Sequence, residues 1–152
     1  MSEDRIKASH NKYLLDTSAV MTFSEDEPGS DFVSEILNKA KRGSAEVYIS
    51  FISIMEACYK VQQHYKDEQS AYQMFNYLHH LPLKRIDVDD NLILTSASFK
   101  ALYSVSLADA WILATAKSLN AKLVHKDPEF EQVKDFVAQI ALPYKNIKRG
   151  IK

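Results

Sequence analysis

The sequence predicts an α/β fold, a three-layer α/β/α sandwich whose central sheet is mainly parallel and has four to five strands. Short apolar runs typical of buried strands alternate along the chain with segments of helical periodicity. The last clear strand follows a helix after only a few residues, so that helix must run antiparallel to it, as in a parallel sheet with crossover helices. With 152 residues, 46% of them hydrophobic, the chain is expected to form one domain.

The first third of the chain is predicted to contain two strands and one helix. Residues 13–16 form a short apolar run closed by an acid, which is typical of a buried parallel strand. Residues 24–30 are rich in turn-forming and acidic residues and predict a solvent-exposed loop. The apolar spacing over residues 32–43 predicts an amphipathic helix. The β-branched and aromatic residues at 47–52 predict the second strand.

Two helices and an edge strand are predicted next. Ser53 and Glu56 have the spacing of a capping box, which predicts a helix that starts there and ends near residue 64. A second helix is predicted over residues 68–80, with an apolar stripe wider than one sheet contact requires. Residues 83–88 predict a third strand, and their charged side chains favour an edge position.

The last third of the chain predicts helices that begin at clear capping residues. The elements are a helix over residues 89–103, a helix that Ser106 opens and that ends near residue 119, a strand over residues 122–125, a short helical turn capped by Asp127, and a last strand within residues 136–142. Strands separated by helices in this way are typical of a parallel sheet covered on both faces.

Composition and charge limit the classes of protein to be considered. The 19 basic and 20 acidic residues nearly cancel, so the overall charge does not support strong non-specific attraction to nucleic acid. The single cysteine, Cys58, excludes an intrachain disulfide and favours a reducing, cytoplasmic location. Residues 1–11 form a polar leader without the apolar core of a secretion signal, and residues 145–152 form a basic tail. No segment approaches the ~18 apolar residues of a membrane span.

Four acidic residues are predicted to meet at one edge of the sheet. Asp16 ends the first strand, and Glu56 opens the helix after the second strand. Asp109 opens the helix before the strand at residues 122–125, and Asp127 follows that strand. Because the carboxyl ends of parallel strands share one edge, where ligands bind near the point at which the strand order reverses, we expect these side chains to lie close together.

Each of these acids also has a structural explanation. Glu56 and Asp109 fit the capping-box pattern and Asp127 fits an N-cap, each contributing about 1 kcal/mol to its helix. Helix caps occur at both edges of a sheet, however, whereas all four acids are predicted at one edge. Carboxylates gathered in one cleft repel one another and raise one another's pKa unless a cation lies among them. Mg²⁺ meets this need with few carboxylates, and it keeps water and phosphate oxygens as its other ligands.

This chemistry predicts metal-assisted hydrolysis of a nucleic acid. One or two divalent ions held between the acids can activate water and neutralise the charge that builds on a phosphodiester. Thr17 and Ser18 lie beside the first acid and are suited to hold a water or a phosphate oxygen, although either hydroxyl is equally suited to cap a helix. Basic residues of the tail, including Lys145 and Arg149, are candidates for contacts with RNA phosphates.

Four motifs of the chain, in their order and spacing, resemble the acidic motifs of the PIN-domain family. They are Leu14-Leu15-Asp16-Thr17-Ser18, Ser53-x-x-Glu56, Ser106-Leu107-Ala108-Asp109-Ala110 and Leu123-Val124-x-x-Asp127-x-x-Phe130. Each motif is weak alone, but the ordered set is fairly specific. The resemblance covers residues 13 to about 142, which is nearly the whole chain.

The resemblance implies a Mg²⁺- or Mn²⁺-dependent ribonuclease with Asp16, Glu56, Asp109 and Asp127 at its centre. Such a protein is most often the VapC-type toxin of a toxin–antitoxin pair, commonly a homodimer that a small antitoxin protein restrains. Two features depart from the family pattern. His125 stands where the family usually has threonine or serine, and the chain lacks the strong basic excess of some RNA-binding members.

Two alternatives remain beside the toxin. One is a catalytically idle PIN-fold module that binds a protein through the apolar face around Tyr72, Phe75 and Leu78. The other is a nuclease that processes RNA outside toxin–antitoxin systems. Phosphatases of the haloacid dehalogenase type fit less well, because they require an acid two residues after Asp16, where Ser18 stands.

Overall fold

The computed structural model describes residues 11–145, which form a five-stranded sheet with helices on both faces. The strands are β1 (Lys12–Leu15), β2 (Glu46–Ser50), β3 (Lys84–Ile86), β4 (Lys122–His125) and β5 (Gln139–Ala141). The helices are α1 (Thr17–Ser24), α2 (Ser30–Lys41), α3 (Phe51–Tyr65), α4 (Glu68–His80), α5 (Asp90–Leu102) and α6 (Leu107–Leu119), and a 3₁₀ helix covers Pro128–Val133. Most of the predicted leader and the tail beyond Lys145, with Arg149, lie outside the described residues.

All five strands are parallel and lie in the order β3-β2-β1-β4-β5. The chain adds β2 and β3 on one side of β1, and then adds β4 and β5 on the other side. The strand order therefore reverses between β1 and β4, which pair with Leu15 opposite Val124. In open α/β sheets, ligands bind outside the carboxyl ends of the strands at such a switch point.

The two faces of the sheet carry separate apolar cores, because successive strand residues point to opposite faces. Leu14 packs mainly with residues of α5, α6 and the 3₁₀ helix, whereas Leu15 packs with residues of α1 to α4. Both leucines are buried, as are Leu123 and Val124 on the neighbouring strand. Burial on both faces explains why the central strands have continuous apolar sequences rather than alternating ones.

The predicted fold class, a three-layer α/β/α sandwich, is confirmed, with five strands that are all parallel. The predicted helix at 68–80 and the predicted strand at 122–125 have the observed bounds of α4 and β4. Asp89 and Ser106 cap the helices that they were predicted to cap, and β3 lies at an edge of the sheet. Within residues 11–145, none of the helices has the length and apolar character needed to span a membrane.

One helix was not predicted. The chain enters α1 directly after β1, with Asp16 as the N-cap. The helix is only eight residues long, and its β-branched Thr17, Val20 and Thr22 lower its intrinsic propensity. Its stability comes from packing, since these three side chains are buried and Val20 lies in the same apolar core as Leu15.

The predicted capping box at Ser53 is wrong. The helix begins earlier, because Ser50 at the end of β2 is the N-cap and its side chain accepts a hydrogen bond from the Ile52 N–H. Phe51 and Ile52 have high strand propensity, which extended the predicted strand beyond its true end. Glu56 consequently lies in the second turn of α3 and has no capping role.

Candidate metal centre

Asp16 lies at the switch point of the sheet. It follows β1, caps α1, and its backbone N–H donates a 3.0 Å hydrogen bond to the carbonyl of Val124 in β4. The residue is only 5% exposed. The two central strands and the start of α1 thus fix this carboxylate at the carboxyl edge of the sheet.

The hydroxyls of Thr17 and Ser18 bind two of the predicted acids. The Ser18 Oγ–H and the Ser18 backbone N–H both donate to Asp16 Oδ2. The same hydroxyl oxygen accepts a 3.0 Å hydrogen bond from the Lys126 backbone N–H, which joins this turn to the end of β4. Thr17 Oγ1 donates a 2.6 Å hydrogen bond to Glu56 Oε1 on α3. The two hydroxyls therefore orient carboxylates that come from different parts of the chain.

A second group of acids lies on the more open side of the site. Asp109 is in the first turn of α6, where its backbone N–H donates to the capping Ser106 Oγ (3.1 Å). Asp127 caps the 3₁₀ helix by accepting a 2.9 Å hydrogen bond from the Glu129 N–H. Carboxylate oxygens of Asp109, Asp127 and Glu129 lie within 4.8 Å of one another. Asp16 and Glu56 lie outside this 4.8 Å set.

The pKa values show that the predicted acids share one electrostatic environment. Burial raises the pKa of Asp16 to about 6, opposed by the hydrogen bonds from Ser18 and assisted by the charge of Glu56. Burial also raises the pKa of Asp109 to about 7, and the negative charges of the other three predicted acids raise it further. Repulsion of this kind operates only between groups that lie near one another.

Basic groups at this edge do not neutralise the acids. The side chain of Lys126, which is 5% exposed, instead pairs with Glu27 at 3.3 Å, and Lys145 pairs with the same carboxylate at 3.3 Å. These two lysines lower the pKa of Glu27 despite its partial desolvation. Among residues 11–145, no Lys, Arg or His side chain forms an ion pair with any of the four predicted acids.

This set of donors fits a hard divalent cation. Every donor is a carboxylate oxygen, which Mg²⁺ and Mn²⁺ prefer over nitrogen and sulfur ligands. Three of the oxygens already lie close enough together to share one ion. Burial and the neighbouring negative charges, which together raise the pKa of Asp16 and Asp109, disfavour ionised carboxylates here, and such a cation would offset both effects.

Glu129 is the acid that the sequence did not predict. It lies two residues after Asp127, in the first turn of the 3₁₀ helix, and it is exposed. Glu131 lies in the same 3₁₀ helix, four residues after Asp127, so the sequence offers two acids close to Asp127. Only the tight 3₁₀ turn, which turns the Glu129 side chain back towards Asp109, distinguishes the two.

A parallel α/β/α sandwich with clustered carboxylates at its switch point defines a class of protein, the α/β proteins with an acidic, cation-suited site. The model of the PIN domain family matches residues 13–135, which is most of the chain. The chain belongs to the PIN domain family, and the resemblance predicted from the four motifs is confirmed. A search of curated protein sequences gives no match.

Solved structures share this fold. VapBC2 from Rickettsia felis, bound to a promoter DNA fragment, has a TM-score of 0.69 and 17% identity, covering 87% of this chain and 99% of that one. DNA-bound VapBC from Salmonella typhimurium has a TM-score of 0.68 and 20% identity, over 86% and 97% of the two chains. VapC20 from Mycobacterium tuberculosis, a Sarcin-Ricin loop cleaving toxin, has a TM-score of 0.63 and 14% identity, over 86% and 99%. At these identities the likeness establishes the shared fold.

Proposed function

We propose that this protein is a divalent-cation-dependent endoribonuclease that acts as the toxin of a toxin–antitoxin pair. The observation that carries the proposal is the gathering of Asp16, Glu56, Asp109 and Asp127 at the switch point without basic partners among residues 11–145. Membership of the PIN domain family supports it, as does the shared fold with toxins of VapBC systems, one of them named as cleaving the Sarcin-Ricin loop.

The side chains of the site are proposed to have different roles. Asp16, Asp109 and Asp127 would bind the cation, and Glu56 would either bind it or orient the attacking water. A bound Mg²⁺ or Mn²⁺ supplies charge neutralisation on the phosphodiester and activation of water for in-line attack. The Thr17 hydroxyl holds the Glu56 carboxylate in one orientation, and Ser18 does the same for Asp16. This orientation reduces the reorganisation that binding and attack require.

The partners follow from the same proposal. The substrate is RNA, and a small antitoxin protein restrains the activity, since several structures with this fold are toxin–antitoxin complexes. A homodimer in the cytoplasm is the expected form. Size-exclusion chromatography with light scattering tests the dimer, and co-expression with the product of an adjacent short reading frame tests the antitoxin.

An RNase assay tests the central proposal. Purified protein is incubated with a structured RNA in EDTA, in Mg²⁺ and in Mn²⁺, and the wild type is compared with Asp16→Asn and with Glu35→Gln. Glu35 is a matched control because it is an exposed acid whose carboxylate pairs with Lys39 on α2. Cleavage that requires the cation, is abolished in Asp16→Asn and persists in Glu35→Gln supports the proposal. Cleavage by Asp16→Asn at the wild-type rate would falsify it.

A second candidate function is a catalytically idle binding module. The exposed aromatic side chains of α4 favour it, with Tyr72 61% and Phe75 38% exposed. The predicted face is only partly correct, because Leu78 is 3% exposed and belongs to the core. Absence of cleavage by a folded wild type in Mn²⁺ would favour this function. Cleavage without an adjacent antitoxin reading frame would favour an RNA-processing nuclease.

A further inference from the structure

His125, the last residue of β4, is a polar side chain enclosed at the base of the candidate site. It is fully buried, and its ring lies edge-on to Phe130 with the ring centroids 5.0 Å apart. Buried polar atoms are costly unless they are hydrogen-bonded, and both ring nitrogens have partners. Nδ1 lies 3.1 Å from the backbone N of Asp127, and Nε2 lies 2.9 Å from Oε1 of Gln139 on β5.

These contacts define which ring nitrogen carries the proton. The backbone carbonyl of Phe130 only accepts, so Gln139 must present its Nε2 amide to it, at 2.7 Å. The Oε1 of Gln139 therefore faces the ring, and His125 Nε2 must donate to it. The Asp127 N–H only donates, so Nδ1 must be unprotonated and accept. Donors and acceptors match only for the neutral ring with its proton on Nε2.

The acceptor role of Nδ1 has a direct bearing on Asp127. A side-chain acceptor that binds the N–H two residues later forms a local turn, as Asn, Asp, Ser and Thr side chains do. This turn orients the backbone of Asp127, whose Oδ1 then caps the 3₁₀ helix. Such capping leaves the second carboxylate oxygen for a ligand beside Asp109.

We propose that His125 is a positioning residue for the cation, which holds Asp127 through Nδ1 in place of a side-chain hydroxyl. The proposal rests on the proposed cation site. The second bond, from Nε2 to Gln139, anchors the ring to β5 and supports the fold. The two nitrogens thus have separate roles, the first in cation binding and the second in stability.

Two substitutions separate the roles of the nitrogens. In His125→Asn, the amide oxygen can take the position of Nδ1 and accept from the Asp127 N–H, but the side chain no longer reaches Gln139. In His125→Gln, the amide reaches the position of Nε2 and leaves the Asp127 N–H without its acceptor. Both variants lose the ring that packs on Phe130, so similar losses of melting temperature are expected in the two.

Mn²⁺ affinity measured by titration calorimetry at neutral pH tests the proposal, with thermal unfolding measured in parallel. We expect His125→Asn to bind Mn²⁺ within about threefold of the wild type, and His125→Gln to bind about 10- to 100-fold more weakly. Equal Mn²⁺ affinities of the two variants, or affinities that follow their melting temperatures, would overturn the role of His125. If neither variant folds, the ¹⁵N resonances of the wild-type His125 ring show which nitrogen carries the proton. A proton on Nε2 is expected, and a proton on Nδ1 would overturn the proposal.

The wild type separates this inference from the proposed function. Wild-type Mn²⁺ binding and RNA cleavage, combined with equal affinities of the two variants, would refute only the role of His125. A wild type that binds Mn²⁺ but does not cleave RNA would refute the nuclease, and the difference between the variants would still support the positioning role. A wild type without Mn²⁺ binding would refute both.

Discussion

The two halves of the acidic site differ in how they are built. The inner half, Asp16 and Glu56, is held by the hydroxyls of Ser18 and Thr17, and Asp16 is nearly inaccessible. The outer half, Asp109, Asp127 and Glu129, is more open, and its oxygens lie within 4.8 Å of one another. The comparison indicates that the inner half is oriented by the protein itself, whereas the outer half is the more open side, by which a cation and its substrate would enter under the proposed function.

Removing the negative charge of Asp16, in the inner half of the site, should have the largest effect on RNA cleavage. Asp16→Asn keeps an oxygen that can accept the hydrogen bonds of Ser18 but no longer carries the charge that a cation requires. We expect the rate of RNA cleavage in Mn²⁺ to fall about 1,000-fold or more, which corresponds to a loss of about 4 kcal/mol of transition-state stabilisation. Without metal, the variant should be more stable at pH 7, by up to about 3 kcal/mol, because a buried charge is gone. Initial cleavage rates and urea unfolding in EDTA measure the two effects.

The cleavage rate distinguishes a cation ligand from a structural cap. If Asp16 served only to cap α1, asparagine would cap the helix equally well, and the substitution would leave cleavage unchanged. A variant that is folded and fully active in Mn²⁺ contradicts the assignment of Asp16.

The pH dependence of stability should reveal the buried charge of the Asp16 carboxylate. The folded-state pKa of Asp16 is about 6, above its ordinary value of 3.8, so the folded protein binds more protons than the unfolded chain between these values. Stability from this group is therefore fully present below about pH 4 and is lost as the pH rises through about 6. In EDTA, the wild type should therefore become less stable than Asp16→Asn as the pH rises. The difference between their unfolding free energies should grow towards about 3 kcal/mol over this window.

Urea midpoints at pH 4, 5, 6 and 7 measure this difference, and subtraction removes the other titrating groups that the two proteins share. Added Mn²⁺ should reverse the trend for the wild type alone, because the cation binds the ionised carboxylates. A difference that stays constant across the window contradicts a raised pKa.

Removing the hydrogen bond that orients Glu56 in the inner half should have an intermediate effect on the rate of cleavage. Thr17→Val keeps the shape of the buried side chain but removes the 2.6 Å hydrogen bond to Glu56. We expect kcat to fall about 10- to 100-fold, the usual cost of losing a group that orients a ligand carboxylate.

Thr22→Val is the matched control for this experiment. Thr22 is also a buried threonine of α1, and its hydroxyl donates to the backbone carbonyl of Ser18 rather than to an acid. The two variants should lose similar stability in thermal unfolding, and only Thr17→Val should lose kcat. Equal losses of kcat would indicate that α1 packing, rather than the orientation of Glu56, limits the rate.

The smallest effect is expected at the outer edge. Glu129→Gln removes one exposed charge while the backbone N–H of this residue still donates to Asp127. Because exposed charge interactions contribute about 1 kcal/mol or less, Mn²⁺ affinity should fall no more than about fivefold. Calorimetric titration measures it, with Glu131→Gln as the neighbouring control. A loss of Mn²⁺ affinity as large as the one that Asp16→Asn causes in the same titration would contradict this ranking, because the exposed outer acid would then contribute as much to cation binding as the buried inner one.

Much of the fold was predictable, because strong local signals agreed with the final structure. Caps at Asp89, Ser106 and Asp127 opened the predicted helices, and the apolar strands paired as a parallel sheet. The errors occurred where packing overrode local preference. Ser50 caps α3 in place of Ser53, because the pairing of β2 ends there, before the aromatic and β-branched residues that follow.

By itself the sequence determined the order of the strands, all but one of the helices, the resemblance to the family, and the placing of Asp16, Asp109 and Asp127 next to strand ends or helix starts. These depend on local interactions between residues that are near one another in the chain. Only the tertiary structure decided which groups surround each acid. Thr17 meets Glu56 across 39 residues of sequence, and His125 meets Gln139 across 14, because separate helices and strands pack at one edge of the sheet. Such contacts leave no periodic pattern in the sequence.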